Sequence, residues 1–257
     1  MKCIFCDNKN DAKSIEHIVP ESFGNNFYTL PKGAVCDDCN SRFSTFEGKA
    51  LTNSVFAMER ARLGVVTKKG KNSKGKVNEL IIEGDKNFRK TYLTIKGIDQ
   101  NNSRNYDSEK RTIQVVVPAF DKSEVATSKL LLSIGLESIY KSQNKIFSKY
   151  DFTDMKNYLT TKENQDWPFT TSEYEIGKFK SVPTFYDKYR LKKAHCKLTI
   201  LEFDDDTLIF QFDFGGISMM INLLNRKLDW FKELIKKDKQ AQIYPEHYRT
   251  KLGIKEV

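Results

Sequence analysis

The sequence predicts an α+β protein, with a small cysteine-bearing N-terminal module and a larger α+β domain behind it. Two Cys-x-x-Cys pairs close off the first 39 residues. Beyond them, short runs rich in Val, Ile, Thr and Phe alternate with stretches of helical period. Strand-like and helix-like segments come in clusters instead of strict alternation, which favours α+β over a doubly wound sheet. No internal repeat is visible. Reading the segments in order divides the chain into a module at 1–64, a basic loop at 65–77 and an α+β domain at 78–257.

Four of the five cysteines fall in the module, as Cys3-x-x-Cys6 and Cys36-x-x-Cys39, with 29 residues between the pairs. Such knuckles present four thiolates with the bite that tetrahedral zinc requires, and four sulfurs leave no open position for water. The zinc is therefore expected to be structural. A redox role fits less well, because Asp37 and Asp38 inside the second knuckle raise a thiol pKa where a redox motif lowers it. Between the knuckles, Ser14–Val19 reads as a short strand ended by Pro20, Gly24-Asn25-Asn26 as a turn, and 34–36 as a second strand. Phe43, Phe46 and Ala50 then share one helical face. Thr52-Asn53 caps a second helix that runs to Gly64. In the larger domain, 78–84, 91–97 and 112–118 read as strands, 122–143 as a long amphipathic helix and 151–160 as a short helix. A hairpin with the acidic turn Asp204-Asp205-Asp206, a further strand and an amphipathic helix at 226–238 close the chain.

Charge is uneven. Residues 1–50 carry six Lys/Arg against seven Asp/Glu, whereas residues 60–76 carry Arg60, Arg62, Lys68, Lys69, Lys71, Lys74 and Lys76 and no acid. With a net charge of +9, that block is the candidate for tracking a phosphate backbone, with a plain surface linker as its rival. No apolar run is long enough to span a membrane, and the first residues lack the apolar core of a signal peptide, so a cytoplasmic location is expected.

The residues "CIFC…SIEHIVPESF…VCDDCN" resemble the HNH endonucleases of the ββα-metal class, in particular a zinc-stapled subgroup with treble-cleft-like architecture. The likeness covers about residues 3–51. It implies an endonuclease that hydrolyses phosphodiester bonds in nucleic acid, DNA above RNA, with a restriction or anti-phage defence setting as one possibility. It implies that His17 is the general base, and a neutral imidazole is suited to taking a proton from water near pH 7. Glu16 and Asn40 offer the hard oxygen donors that Mg²⁺ or Mn²⁺ prefers. The fuller HNH pattern places a middle Asn about five residues before the second knuckle; here Pro31 stands there. What orients His17 is left open, with Asn25 and Asn26 as candidates. Adjacent strand residues face opposite ways, so Glu16 and His17 reach one phosphate only if the strand bends there.

Three rival readings are set beside this one. A zinc deaminase, whose signature is H-x-E followed by P-C-x-x-C, does not fit, because the acid directly precedes His17 and Val35 precedes Cys36. A zinc-dependent module that grips nucleic acid or protein without cutting is favoured by the missing Asn. A C-terminal domain that senses a small molecule or partner protein and activates the nuclease is the third. His195, His247, Cys196 and the acidic turn read as ordinary surface or strand residues.

Overall fold

The computed structural model describes the chain except residues 1, 9–11, 116–118, 121–122, 162–164, 174–184, 188–191, 195, 238–240 and 254–257. His195 and the end of the expected 112–118 strand lie outside the described residues. The α+β class is borne out, and a β-rich C-terminal part follows the cysteine-bearing module.

The module's two expected strands are shorter than their sequence suggests, and the second is elsewhere. His17 and Thr29 form one antiparallel bridge, flanked by Ile18 N–H donating to Tyr28 O at 3.1 Å and Leu30 N–H to Glu16 O at 2.9 Å. The partner of 16–18 is thus 28–30, while 34–36 is the turn into the second knuckle. Between the arms a 3-10 turn over Glu21–Phe23 ends at Gly24, whose φ of 86° lets its N–H reach Glu21 O. Helix α1, Asp37–Ala50, follows with Cys36 as N-cap. Its buried stripe of Phe43, Phe46 and Ala50 is the one the periodicity predicts. Helix α2, Ser54–Arg62, is capped by Asn53, whose Oδ1 accepts from Phe56 N–H at 2.7 Å.

Residues 65–77 do not form the expected irregular loop. Val66 bridges Asn72 around a turn, and Lys74–Val77 is strand β1 of an antiparallel sheet β1-β2-β3, with β2 at Leu80–Gly84 and β3 at Leu93–Lys96. Its inner face, Val77 and Ile82, packs on Ala57 and Ala61 of α2. Next comes an exposed hairpin of β4, Ser103–Asp107, and β5, Thr112–Val115.

Helix α3, Glu124–Ser142, is the centre of the molecule. It is not amphipathic as expected: Leu130, Leu131, Leu132, Ile134, Leu136 and Ile139 are all buried, so apolar side chains point in every direction around the axis. Short helices α4, Asn144–Lys149, and α5, Thr153–Thr160, pack against it. On one side of α3 lies α1; on the other lies an antiparallel sheet containing β6 (Phe169–Glu173), β9 (Cys196–Asp204), β10 (Thr207–Phe214), β11 (Ile217–Asn222) and β12 (Gln242–Tyr244), in the order β12-β6-β11-β10-β9. Strands β7, Phe185–Asp187, and β8, Lys192–Ala194, pair separately; helices α6, Asp229–Lys237, and α7, His247–Lys251, complete the described elements. Gly135 brings α3 close to the sheet, since a Cβ there would lie 2.8 Å from Leu223 and 3.1 Å from Phe210.

One apolar core runs from the cysteine knuckles to the sheet. Phe23, from the turn behind His17, is its joint: its ring meets Phe56, Phe214 and Phe212 edge-on at 4.9, 4.7 and 5.6 Å. The loop that carries the candidate catalytic residues is therefore anchored in the β-rich part of the chain.

Candidate metal centre and active site

Cys3, Cys6, Cys36 and Cys39 bring their sulfurs within 4.8 Å of one another, and none is in a disulfide. The backbone is arranged for thiolate: Cys36 N–H points at Cys3 Sγ and Cys39 N–H at Cys36 Sγ, each at 3.4 Å. Hydrogen bonding from Cys39 holds the Cys3 thiol well below its ordinary range, and the same contact pushes Cys39 up. Cys3 and Cys39 thus compete for one negative charge, which a divalent cation relieves. This donor set fits a structural zinc ion.

The N-terminus of α1 also holds the start of the hairpin. Asp37 accepts from Lys13 N–H, Ser14 N–H and Ser14 Oγ–H, the last at 2.8 Å. Asn40 Nδ2 donates to Ser14 Oγ at 3.0 Å. Ser14 and Glu16 share a face of the extended segment, so Glu16 runs along the α1 stripe that carries Asn40 and, two turns on, Glu47. Burial pushes the Glu16 carboxyl up to about 7, with the Glu47 charge adding to it and Lys68 opposing. Glu47 is raised by burial as well. On α3, which packs against α1, Glu137 is 2% exposed and raised by burial and by the charges of Glu16 and Glu47.

His17 follows directly, and the Lys68 that acts on Glu16 and Glu47 also pairs with the glutamate beside its ring. His17 Nε2 lies 3.2 Å from Glu21 Oε1, and Glu21 Oε2 is 2.6 Å from Lys68 Nζ. A carboxylate can only accept, so Nε2 carries a proton, and in the neutral imidazole the lone pair is then on Nδ1. His17 Nδ1 is buried and has no hydrogen-bond partner among the described residues. The orienting group left open by the sequence is thus Glu21, not an asparagine. Asn25 is spent on the loop itself: its Nδ2 donates to Val19 O at 2.6 Å and Tyr28 O at 3.1 Å, while its Oδ1 accepts from Tyr28 N–H at 2.9 Å. Asn26 is exposed.

Of the expected nucleic-acid contacts, Arg60 and Arg62 need correcting. Both are buried; Arg60 Nε donates to Ser22 O at 2.8 Å, and Arg62 is ion-paired with Glu59, which also accepts from Gly216 N–H at 2.8 Å. They tie α2 to the hairpin loop and to the β10–β11 turn. Lys74 is held by Glu83 at 2.8 Å and Lys76 stands 4.0 Å from Glu79. Lys69 and Lys71 are exposed and carry no ion pair among the described residues.

The minor candidates take structural places. His247 Nε2 is 3.3 Å from Asp166, Asp206 of the acidic turn pairs with Lys227, and burial pushes the Cys196 thiol up to about 12, where it is unreactive. Glu21 and Glu47 carried a faint sequence signal, lying four residues after His17 and seven after Asn40. Glu137 carried none, since only tertiary packing brings α3 to the site.

Residues 3–56 match the protein family described as HNH endonuclease. Searches of the curated proteins and of the solved structures each found no match. The matched segment contains both knuckles, the Glu16-His17 pair, Asn40 and Glu47, and it supports a nuclease-type, nucleic-acid-binding function; Glu137 and Lys68 lie outside it. Among the described residues no helix is long and apolar enough to cross a membrane.

Proposed function

We propose that the chain is a divalent-metal-dependent endonuclease that hydrolyses phosphodiester bonds in nucleic acid, DNA above RNA. The observation that carries this reading is the set of His17: Nε2 on a carboxylate, Nδ1 without a partner, and two oxygen-donor residues on the neighbouring helix face and strand. A buried polar atom left unpaired costs about 1–3 kcal/mol, so its persistence points to a partner brought by substrate. His17 Nδ1 takes the proton from the attacking water, and Glu21 holds the ring and stabilises the imidazolium that results. A Mg²⁺ or Mn²⁺ ion held by Glu16 and Asn40 would supply positive charge against the phosphate and the leaving oxygen. Lys68, already at the mouth of the site on Glu21, is placed to exchange that partner for a phosphate oxygen. The β-rich part anchors the loop through Phe23 and is assigned the positioning of nucleic acid.

Purified protein should convert supercoiled plasmid to nicked or linear forms with Mg²⁺ or Mn²⁺ and leave it intact with a chelator of those ions. Binding without cutting under every divalent cation would favour the non-catalytic binding module.

The charged turn gives a second expectation. Neutralising Lys69 and Lys71 together should flatten the slope of log K against log salt by about 2, because each phosphate contact contributes roughly 0.9. Lys74, held by Glu83, should contribute less than either. Anisotropy titrations of a labelled duplex from low to moderate salt read this directly, and an unchanged slope would make the turn a structural connection only.

A further inference from the structure

We propose that the loop at 85–92, outside the family-matched segment, forms with the turn at 67–72 a docking surface for the phosphate backbone of the nucleic acid beside the cleavage site, with Lys86 and Lys90 as contacts beyond the basic block read from the sequence. The proposal rests on the nuclease reading above and deepens it by naming where the flank of the substrate is held.

The two segments leave the β1-β2-β3 sheet at the same end. Lys74 of β1 stands opposite Glu83 of β2, Gly84 N–H donates to Ser73 O at 2.9 Å, and Asn72 Nδ2 donates to Gly84 O at 2.5 Å. Each segment is held in shape by its own hydrogen bonds. In the turn, Thr67 N–H donates to Lys71 O and Gly70 N–H to Thr67 O, both at 2.8 Å. In the loop, Asp85 accepts from Asn87 N–H at 2.9 Å and from the Arg89 guanidinium at 2.9 and 3.1 Å. The loop is also fastened to the end of α2: Thr91 N–H donates to Arg62 O at 2.6 Å, and a Cβ on Gly64 would lie 2.4 Å from Phe88 O, so glycine admits that approach where another residue would not. A surface ordered in advance avoids the entropy cost of ordering on binding.

These fourteen residues carry six Lys/Arg against one acid, Asp85, so more than half of the chain's net charge of +9 sits here. Asp85 and Arg89 are paired with each other. Lys69, Lys71, Lys86 and Lys90 are exposed, and none has an ion pair among the described residues. Like charges on adjacent, fixed segments reinforce one another's field and favour a polyanion over separate small ions. A DNA duplex offers one phosphate charge about every 1.7 Å of its axis, enough to meet several of these lysines at once. The patch begins at Lys68, whose Nζ is 2.6 Å from Glu21 Oε2, while Glu21 Oε1 is 3.2 Å from His17 Nε2. The backbone flanking a scissile phosphate at His17 is therefore the acidic partner within reach.

The test uses the full zinc-loaded chain and a fluorescent DNA duplex, with no Mg²⁺ or Mn²⁺ added so that nothing is cut. Lys86→Gln with Lys90→Gln should flatten the slope of log K against log salt by about 2 and weaken binding at low salt roughly ten-fold to a hundred-fold, since each phosphate contact contributes roughly 0.9 to the slope. Tm and zinc content should stay at wild type, because both side chains are exposed and unpaired among the described residues. Lys232→Gln with Lys251→Gln removes the same charge from α6 and α7 and should leave the slope unchanged. Equal flattening there would overturn the proposal, because the slope would then read net charge alone. So would wild-type slope and affinity in the Lys86 and Lys90 variant, or a loss confined to anionic phospholipid vesicles while duplex binding is kept. A chain that binds duplex through this surface yet cuts nothing with Mg²⁺ or Mn²⁺ would sink the nuclease reading alone. A chain that cuts while Lys86 and Lys90 are dispensable for binding would sink this one alone.

Discussion

Alanine at position 17 should remove most cleavage, by ~10² to 10⁴-fold, while zinc content, thermal unfolding and affinity for uncut DNA stay near wild type. The imidazole is partly exposed and, among the described residues, pairs with no side chain but Glu21, so its loss should leave the core intact. The comparison that gives the result meaning is with Glu16→Ala and Asn40→Ala. Those variants lose oxygen donors, so activity should fall with a raised Mg²⁺ or Mn²⁺ requirement that excess cation partly restores. No amount of cation should rescue His17→Ala. Glu21→Gln keeps an acceptor for Nε2–H and should retain more activity than Glu21→Ala, which frees the ring. Single-turnover cleavage at saturating protein across a cation series separates these outcomes. Undiminished cleavage by a folded His17→Ala protein would end the assignment of the reaction to this site.

What was legible in the sequence follows the range of the signal. The knuckles, the Glu16-His17 pair and Asn40 are local patterns, and each sits on the helix or hairpin arm that its spacing implies. The α1 stripe was readable because one face is buried and the other wet. Helix α3 was misread as amphipathic because its partners on both sides are distant in sequence, α1 ending at Ala50 and strands β9 to β11 beginning at Cys196. The same distance hid Glu137. The loop at 65–77 looked irregular because Lys and Gly dominate it, yet β1 is an edge strand whose alternate side chains face water and tolerate that composition. Arg60 and Arg62 were counted as free charges because Glu59, their neighbour in sequence, lies one residue before the acid-free block. Its carboxylate and a backbone carbonyl at 22 draw both guanidinium groups inward.

Serine at position 36 should cost the protein its zinc and the order of its N-terminal module. Cys36 has three tasks: its sulfur is one of the four clustered donors, it accepts from Cys39 N–H, and it is the N-cap of α1. Serine is itself a favoured N-cap and can accept the same N–H, so the start of α1 is not what the substitution removes. What it removes is a thiolate. Zinc binding to such sites supplies about 10–16 kcal/mol of apparent folding free energy in small peptides, as much as the total stability of an ordinary domain. In this chain the effect should be graded along the core. Phe5, inside the first knuckle, meets Phe43 of α1 edge-on at 4.6 Å, so loosening the knuckles frees α1 first. Among the described residues, strands β9 to β11 pair only with one another and β6, and they should hold their amide protection longer. Elemental analysis should find about one zinc per wild-type chain and far less in Cys36→Ser. Hydrogen exchange should show α1 losing protection while β10 keeps it, and a strong zinc chelator should reproduce that pattern in wild type. Wild-type protein without zinc, or a Cys36→Ser variant that keeps it, would remove the staple from this account.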